Sequence, residues 1–292
     1  MQRFTGIMPA LLTPLEEDES LNVTALRQLM DRLLQEGADG FYLGGATGEG
    51  LALRREVREE LAAEAISFVS GRKPCIVHVA SVDYAEMLAL ARQAEASGAA
   101  AISAVPPLFF AYGEDDVYHY YKRLAEAVHI PVMVYYNPAV NFRISAEFAA
   151  RLFEIDNVTA IKWTNPDYFS MMRLKQLTNG EINIINGPDE MLLMGLNAGA
   201  EGGIGSTYNL MLPRIRAIYE HFMAGEIEEA RQAQMEADRI IAALLRHGNI
   251  IPTLKALLEH QGFAMGNAAF PMRRYSAEER EALWQEVLAA GL

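Results

Sequence analysis

Lys162 closes the run Val158-Thr159-Ala160-Ile161-Lys162, whose other residues read as a short buried strand. Burying an ammonium is costly unless it is paired or neutral. A lysine so placed is a candidate nucleophile, because desolvation lowers its pKa toward the range where the amine attacks a carbonyl. The plain alternative is a lysine whose stem is buried while its amine reaches water. Four other stretches carry groups that such chemistry would use. Gly44-Gly45-Ala46-Thr47-Gly48-Glu49-Gly50 has four glycines in seven residues, which lets the backbone approach a ligand and aim N–H groups at a carboxylate. A tight structural turn explains the same run equally well, and no Gly-Lys-Ser/Thr follows to make it a phosphate loop. Val134-Tyr135-Tyr136-Asn137-Pro138 puts a tyrosine at a strand end, where a half-buried core role is the ordinary one. Gly187-Pro188-Asp189-Glu190 offers an acidic pair that otherwise caps a helix. Gly202-Gly203-Ile204-Gly205-Ser206-Thr207-Tyr208-Asn209 is a second glycine-rich loop and a candidate anion site. An amine, a proton relay and backbone donors together are what a carbonyl-handling site needs.

Short apolar strands alternating with amphipathic helices must position these residues. The strands are expected at Gly6 to Leu12, Gly40 to Leu43, Cys75 to His78, Ala101 to Ala104, Val132 to Tyr136, Val158 to Lys162, Asn183 to Asn186 and Gly202 to Gly205. The helices between and after them are expected near Asn22 to Glu36, Arg54 to Val69, Tyr84 to Ser97, Asp115 to Ala127, Ser145 to Phe153, Tyr168 to Leu177, Asp189 to Asn197 and Leu212 to Phe222. Ser145 reads as an N-cap. Without a hairpin signal, this order requires parallel strands with helical crossovers, and eight units is the count at which the sheet closes into a (β/α)8 TIM barrel. An open doubly wound sheet is the rival, weakened because no Gly-x-Gly-x-x-Gly turn follows the first strand. Three further helices, at Glu226 to Arg246, Ile250 to Gln261 and Ala277 to Leu288, contain no strand between them. The expected organisation is a catalytic barrel over residues 1–224 and a C-terminal helical extension over 225–292 packed on it. Every chemistry-bearing stretch named above then falls at the carboxyl ends of strands, where barrels place their active sites.

The chain has 292 residues, 51% of them hydrophobic, and a formal charge of −13. It lacks the basic footprint of a nucleic-acid binder. The single cysteine, Cys75, cannot form an internal disulfide and reads as core. His78 in the same strand should point the other way, as a hydrogen-bonded structural residue or a lining of the barrel mouth. The remaining histidines have no metal-ligand spacing, so no metal is expected. With no signal-peptide pattern and no apolar run long enough for a membrane span, a cytoplasmic location is expected.

Gly44-Gly45-Ala46-Thr47-Gly48-Glu49, Tyr136-Asn137, Ile161-Lys162 and Gly203-Ile204-Gly205-Ser206, in this order on eight units, resemble the superfamily of class I pyruvate aldolases that contains N-acetylneuraminate lyase and dihydrodipicolinate synthase. The resemblance covers residues 4 to about 262. It implies that Lys162 forms an imine with pyruvate, with no other cofactor. It further implies that Tyr136 shuttles the proton at the scissile bond, and that Ala46, Thr47 and neighbouring N–H groups hold the carboxylate. Lys162-x-Thr164, Gly187-x-Asp189-Glu190 and Gly203 to Asn209 match the lyase branch. There Thr164, Gly187, Asp189, Glu190, Gly205 and Ser206 would bind the hydroxylated tail of a sugar acid. The implied partners are small 2-keto acids and sugar acids, with no nucleic acid or membrane, and the implied assembly is a homotetramer. Two departures stand out: Ala46 replaces a hydroxyl residue, and Leu108-Phe109-Phe110 replaces the tyrosine that a neighbouring subunit contributes. Synthases carry an arginine soon after the Tyr-Asn pair, whereas this chain has Pro138-Ala139-Val140-Asn141-Phe142 before Arg143. The leading reading is cleavage of N-acetylneuraminate to N-acetylmannosamine and pyruvate. Its alternatives are an aldolase for another 2-keto-3-deoxy sugar acid, a 4-hydroxy-tetrahydrodipicolinate synthase-like enzyme, and a carbonyl-ligand sensor without turnover.

Overall fold

The computed structural model describes residues 3–138 and 142–292. Eight parallel strands run in the order β1, β8, β7, β6, β5, β4, β3, β2. They are β1 Gly6–Pro9, β2 Phe41–Leu43, β3 Cys75–His78, β4 Ala101–Ala104, β5 Val132–Tyr136, β6 Val158–Trp163, β7 Asn183–Asn186 and β8 Gly202–Gly205. The sequence extends the first strand to Leu12, but its ladder ends at Pro9. From there the backbone changes partner to close the barrel: Ala10 N–H donates to Gly205 O and Leu11 N–H to Tyr42 O. A single Ala10–Tyr42 bridge joins the two edge strands.

The helices wrap the strands, and Val, Ile, Leu and Ala fill both faces of the sheet, as a sheet buried on both sides requires. They are α1 Val23–Gln35, α2 Arg55–Val69, α3 Tyr84–Ala96, α4 Glu114–Ala125, α5 Ala146–Leu152, α6 Tyr168–Leu177, α7 Leu192–Asn197 and α8 Tyr208–Ala224. Ser145 caps α5 through Phe148 N–H, as its residue type suggests. Two helix starts differ from expectation. Asp189–Met191 form a separate 3-10 turn before α7, because the Asp189 carboxylate is drawn into the β8 loop. Tyr208–Leu210 form an extra turn ahead of a kink at Met211, and the regular helix resumes beside Pro213, which tolerates its missing N–H only in a first turn.

The extension consists of α9 Ile227–Leu245, α10 Ile250–His260 and α11 Ala277–Ala289. α9 lies along α8 and the Asp189 turn, and α10 and α11 pack on this layer. Ile240, Leu244, Leu254, Leu257 and Val287 are buried there. Among the described residues, no helix is long and apolar enough to cross a membrane.

Candidate active site

Side chains alternate along each strand, so strand register decides what enters the barrel. Tyr135 is the register partner of Lys162, and Tyr136 is the partner of Trp163. Lys162 points inward. It is 5% exposed, and its Nζ lies 4.3 Å from the centre of the Tyr135 ring and 4.7 Å from that of Tyr42. Trp163 points outward into the helix layer, and the Tyr136 ring packs on it edge to face at 4.8 Å. The Tyr136 hydroxyl accepts a hydrogen bond from Asn165 Nδ2 at 3.1 Å. Of the Tyr135-Tyr136 pair, the ring against the Lys162 amine is that of Tyr135, while Tyr136 packs on Trp163. The residue beside the lysine is Tyr135, and adjacent residues cannot share a face of one strand.

Two further residues join this cluster. Tyr42, on β2, donates to Ser103 Oγ at 3.0 Å, and Ser103 in turn donates to Met133 O. Burial, then the neighbouring Tyr135, pushes the Tyr42 phenol well above its ordinary value, so it stays protonated. His78 ends β3 inside the barrel, with its ring edge to face with Tyr135 at 5.9 Å. Its Nδ1 lies 3.2 Å from Gly44 O, and since a carbonyl only accepts, Nδ1 carries the proton. Burial, together with the positive charges of Arg58 and Lys162, pushes its pKa down to about 3, so the imidazole is neutral. Both roles expected of His78 thus hold at once: it is hydrogen-bonded, and it lines the barrel. Cys75 is buried core, its thiol pushed up to about 12 by burial.

The β2–α2 loop turns on its glycines. Gly44 has φ +63, and a Cβ on Gly50 would lie 1.8 Å from Gly44 O. Gly48 O accepts from Thr13 Oγ1 at 2.7 Å, Glu49 N–H donates to Ala46 O, and Gly50 N–H to Gly45 O. Ala46 is exposed at the mouth and Thr47 is buried. No acceptor for the Ala46 and Thr47 N–H groups occurs among the described residues. His78 couples this loop to the lysine cluster through Gly44.

The ends of β6, β7 and β8 meet on the other side. A Cβ on Gly187 would lie 2.0 Å from Thr164 Oγ1, so only glycine admits that contact. A Cβ on Gly205 would lie 2.1 Å from Asp189 Oδ1. Asp189 Oδ2 accepts from Thr207 N–H at 2.8 Å, Thr207 Oγ1 at 2.7 Å and Ser206 Oγ at 3.3 Å. Burial raises the Asp189 pKa against the lowering effect of those donors. This carboxyl braces the β8 loop, whereas Glu190 is exposed. Ala139, Val140 and Asn141, in the stretch where synthases carry their arginine, lie outside the described residues. A cavity of about 680 Å³ opens at the opposite pole among Arg3, Asp39, Lys73 and Arg216. Its charges are satisfied internally, Asp39 pairing with both Lys73 and Arg216 and Arg3 with Glu201. In such barrels that pole serves stability.

A parallel barrel with a buried strand-end lysine, beside phenols and faced by a glycine loop, is an arrangement that lysine-dependent carbonyl chemistry uses. The chain belongs to the dihydrodipicolinate synthetase family, whose model matches residues 3–290. It is a class I aldolase and a carbon–carbon lyase of that family. It is 35% identical over 285 residues to the N-acetylneuraminate lyase of Rhizobium meliloti (strain 1021), covering 98% of this chain and 95% of the relative. Among solved structures, CdNal from Clostridium difficile in complex with mannosamine superposes with a TM-score of 0.94 at 29% identity, over 99% and 100% of the two chains. Dihydrodipicolinate synthase DapA-2 from Bacillus anthracis does so with a TM-score of 0.92 at 26% identity, over 99% of each.

Proposed function

We propose that this chain cleaves N-acetylneuraminate reversibly into N-acetylmannosamine and pyruvate through an imine on Lys162. The observation that carries the reading is the placement of Lys162 Nζ, buried over the Tyr135 and Tyr42 rings at the barrel mouth. The amine adds to the C2 ketone of the open-chain sugar acid, and water leaves to give the protonated imine. Loss of the C4 hydroxyl proton breaks the C3–C4 bond, releasing the aldehyde while the electron pair moves into the imine as an enamine. Protonation at C3 and hydrolysis then return pyruvate and free lysine. No metal or organic cofactor enters these steps. A strand-end phenol carries the C4 proton: the family resemblance implies Tyr136, and the Tyr135 ring beside Lys162 Nζ makes Tyr135 its rival for that role. Ala46 and Thr47 N–H groups receive the C1 carboxylate. Thr164, Glu190 and Ser206, with the backbone of Gly187 and Gly205 and the bracing Asp189, face the polyol tail. The 35% identity to a named N-acetylneuraminate lyase over nearly the whole chain supports a carbon–carbon lyase of this family.

A second reading is cleavage of another 2-keto-3-deoxy sugar acid. It is favoured by the methyl of Ala46 at the mouth and by Phe109, 82% exposed and without a hydroxyl, where relatives supply relay hydroxyls. The deciding experiment is incubation with pyruvate and sodium borohydride, followed by intact and peptide mass analysis, beside Lys162→Ala. A reduced pyruvyl adduct on the Lys162 peptide, absent in the variant, is expected. The same adduct from N-acetylneuraminate, with release of N-acetylmannosamine, selects the lyase. Adduct from pyruvate without cleavage of N-acetylneuraminate selects the second reading, and no adduct from either refutes both. The family resemblance implies a tetramer of such chains, and the expected location is the cytoplasm.

A further inference from the structure

In the β2–α2 loop, the Glu49 side chain reaches the C-terminal extension. Its carboxylate is fully buried and forms an ion pair with Lys255 Nζ at 2.6 Å; the Lys255 side chain is 2% exposed. The other oxygen, Oε2, accepts from Ala269 N–H at 2.5 Å, and Lys255 also donates to Asn267 O at 3.1 Å. A buried pair of this kind holds its geometry because neither charge can reach water if it lets go. The Glu49 backbone is in the left-handed region at φ +61, a conformation that a glutamate keeps only where its surroundings over-determine it. That backbone is the hinge of the carboxylate loop: Glu49 N–H donates to Ala46 O at 3.0 Å, and Ala52 N–H to Glu49 O at 2.7 Å. The anchor thus lies three residues from Ala46 in sequence, yet its other half is some two hundred residues away.

We infer that Lys255 and Glu49 are positioning residues for the carboxylate subsite, so that the helical extension sets the pose of the loop that receives the C1 carboxylate of the keto acid. The inference rests on the imine reading above. Neither side chain touches substrate. Each acts by fixing the Glu49 backbone, and through it the direction of the Ala46 and Thr47 N–H groups. The expected signature is weaker capture of the keto acid with little change in chemistry once it is bound.

The test is borohydride trapping on the full-length chain across a pyruvate titration, for wild type, Lys255→Met, Glu49→Gln and Leu283→Ala. Leu283 is buried in α11, and its truncation serves as a control for general loosening of the extension. In Lys255→Met and Glu49→Gln the half-saturating pyruvate concentration is expected to rise by about tenfold, with trapping at saturation near the wild-type level, as loss of ground-state binding dictates. Hydrogen exchange of the peptide over residues 44–53 should accelerate in the same two variants. Leu283→Ala should leave both readouts unchanged. Half-saturation within twofold of wild type in Lys255→Met and Glu49→Gln overturns the inference, as does an equal shift in Leu283→Ala. If Lys255→Met does not fold, Glu49→Gln alone decides, because it keeps the acceptor for Ala269; failure of that variant to fold assigns the pair to bulk stability and also overturns the inference. Adduct on wild type with any of these negative outcomes leaves the imine reading intact. No adduct on wild type removes the imine reading and this inference with it.

Discussion

Replacing the hydroxyl of Tyr135 by hydrogen tests the assignment that most changes the chemistry of the site. Tyr135 and Tyr136 are adjacent, both buried and both aromatic, so their phenylalanine variants disturb packing equally little. Their environments differ. Tyr135 lies under the amine of Lys162, while Tyr136 lies on Trp163 with its hydroxyl engaged by Asn165. A general acid–base group contributes about 100- to 10,000-fold, which is about 3–5 kcal/mol of barrier. Tyr135→Phe should therefore lower kcat for sugar-acid cleavage by at least about 100-fold while still accumulating reduced adduct. Tyr136→Phe gives up one neutral hydrogen bond, worth about 1 kcal/mol of stability, and should keep its rate within about threefold. The assay is continuous detection of released pyruvate, with urea midpoints measured in parallel to separate folding from chemistry. A hundredfold loss in Tyr136→Phe beside a near-normal Tyr135→Phe would refute the register argument.

Two other outcomes follow from the geometry. His78 binds its proton near 6.5 in an unfolded chain but only near 3 in the folded one, so the unfolded state holds more protons between these values. Its contribution is complete above pH 6.5 and is lost as pH falls toward 3; at pH 4.5 the loss is on the order of 3 kcal/mol. His78→Gln, which keeps a donor for Gly44 O, should accordingly lose less stability than wild type between pH 7.5 and 4.5; equal losses in urea titrations would contradict this. Gly50→Ala drives a methyl onto Gly44 O, a backbone atom that cannot rotate away. It should cost about 1–3 kcal/mol of stability and weaken pyruvate capture, as read by thermal midpoint and by trapping.

The alternation of strand and helix, the count of eight and the strand-end position of Lys162 were legible because each is a local pattern with its own period. The two glycine loops and the acidic pair were legible for the same reason, as special residue types at strand ends. What sequence left open was direction and partnership. A tyrosine pair at a strand end contains one inward residue, and which one depends on the register of β5 against β6, where a shift falls between Val132 and Met133. Asp189 reads as a substrate ligand beside Glu190, and only the folding of the β8 loop over it shows that its carboxylate also accepts from Thr207. His78 could be placed on a strand, but only closure of the barrel set its ring against Tyr135 and its Nδ1 on Gly44. The Glu49–Lys255 pair had no local signature at all. Local pattern records which residues are apolar, charged or flexible; pairing of distant charges is an outcome of packing, decided only once the extension lies against the barrel.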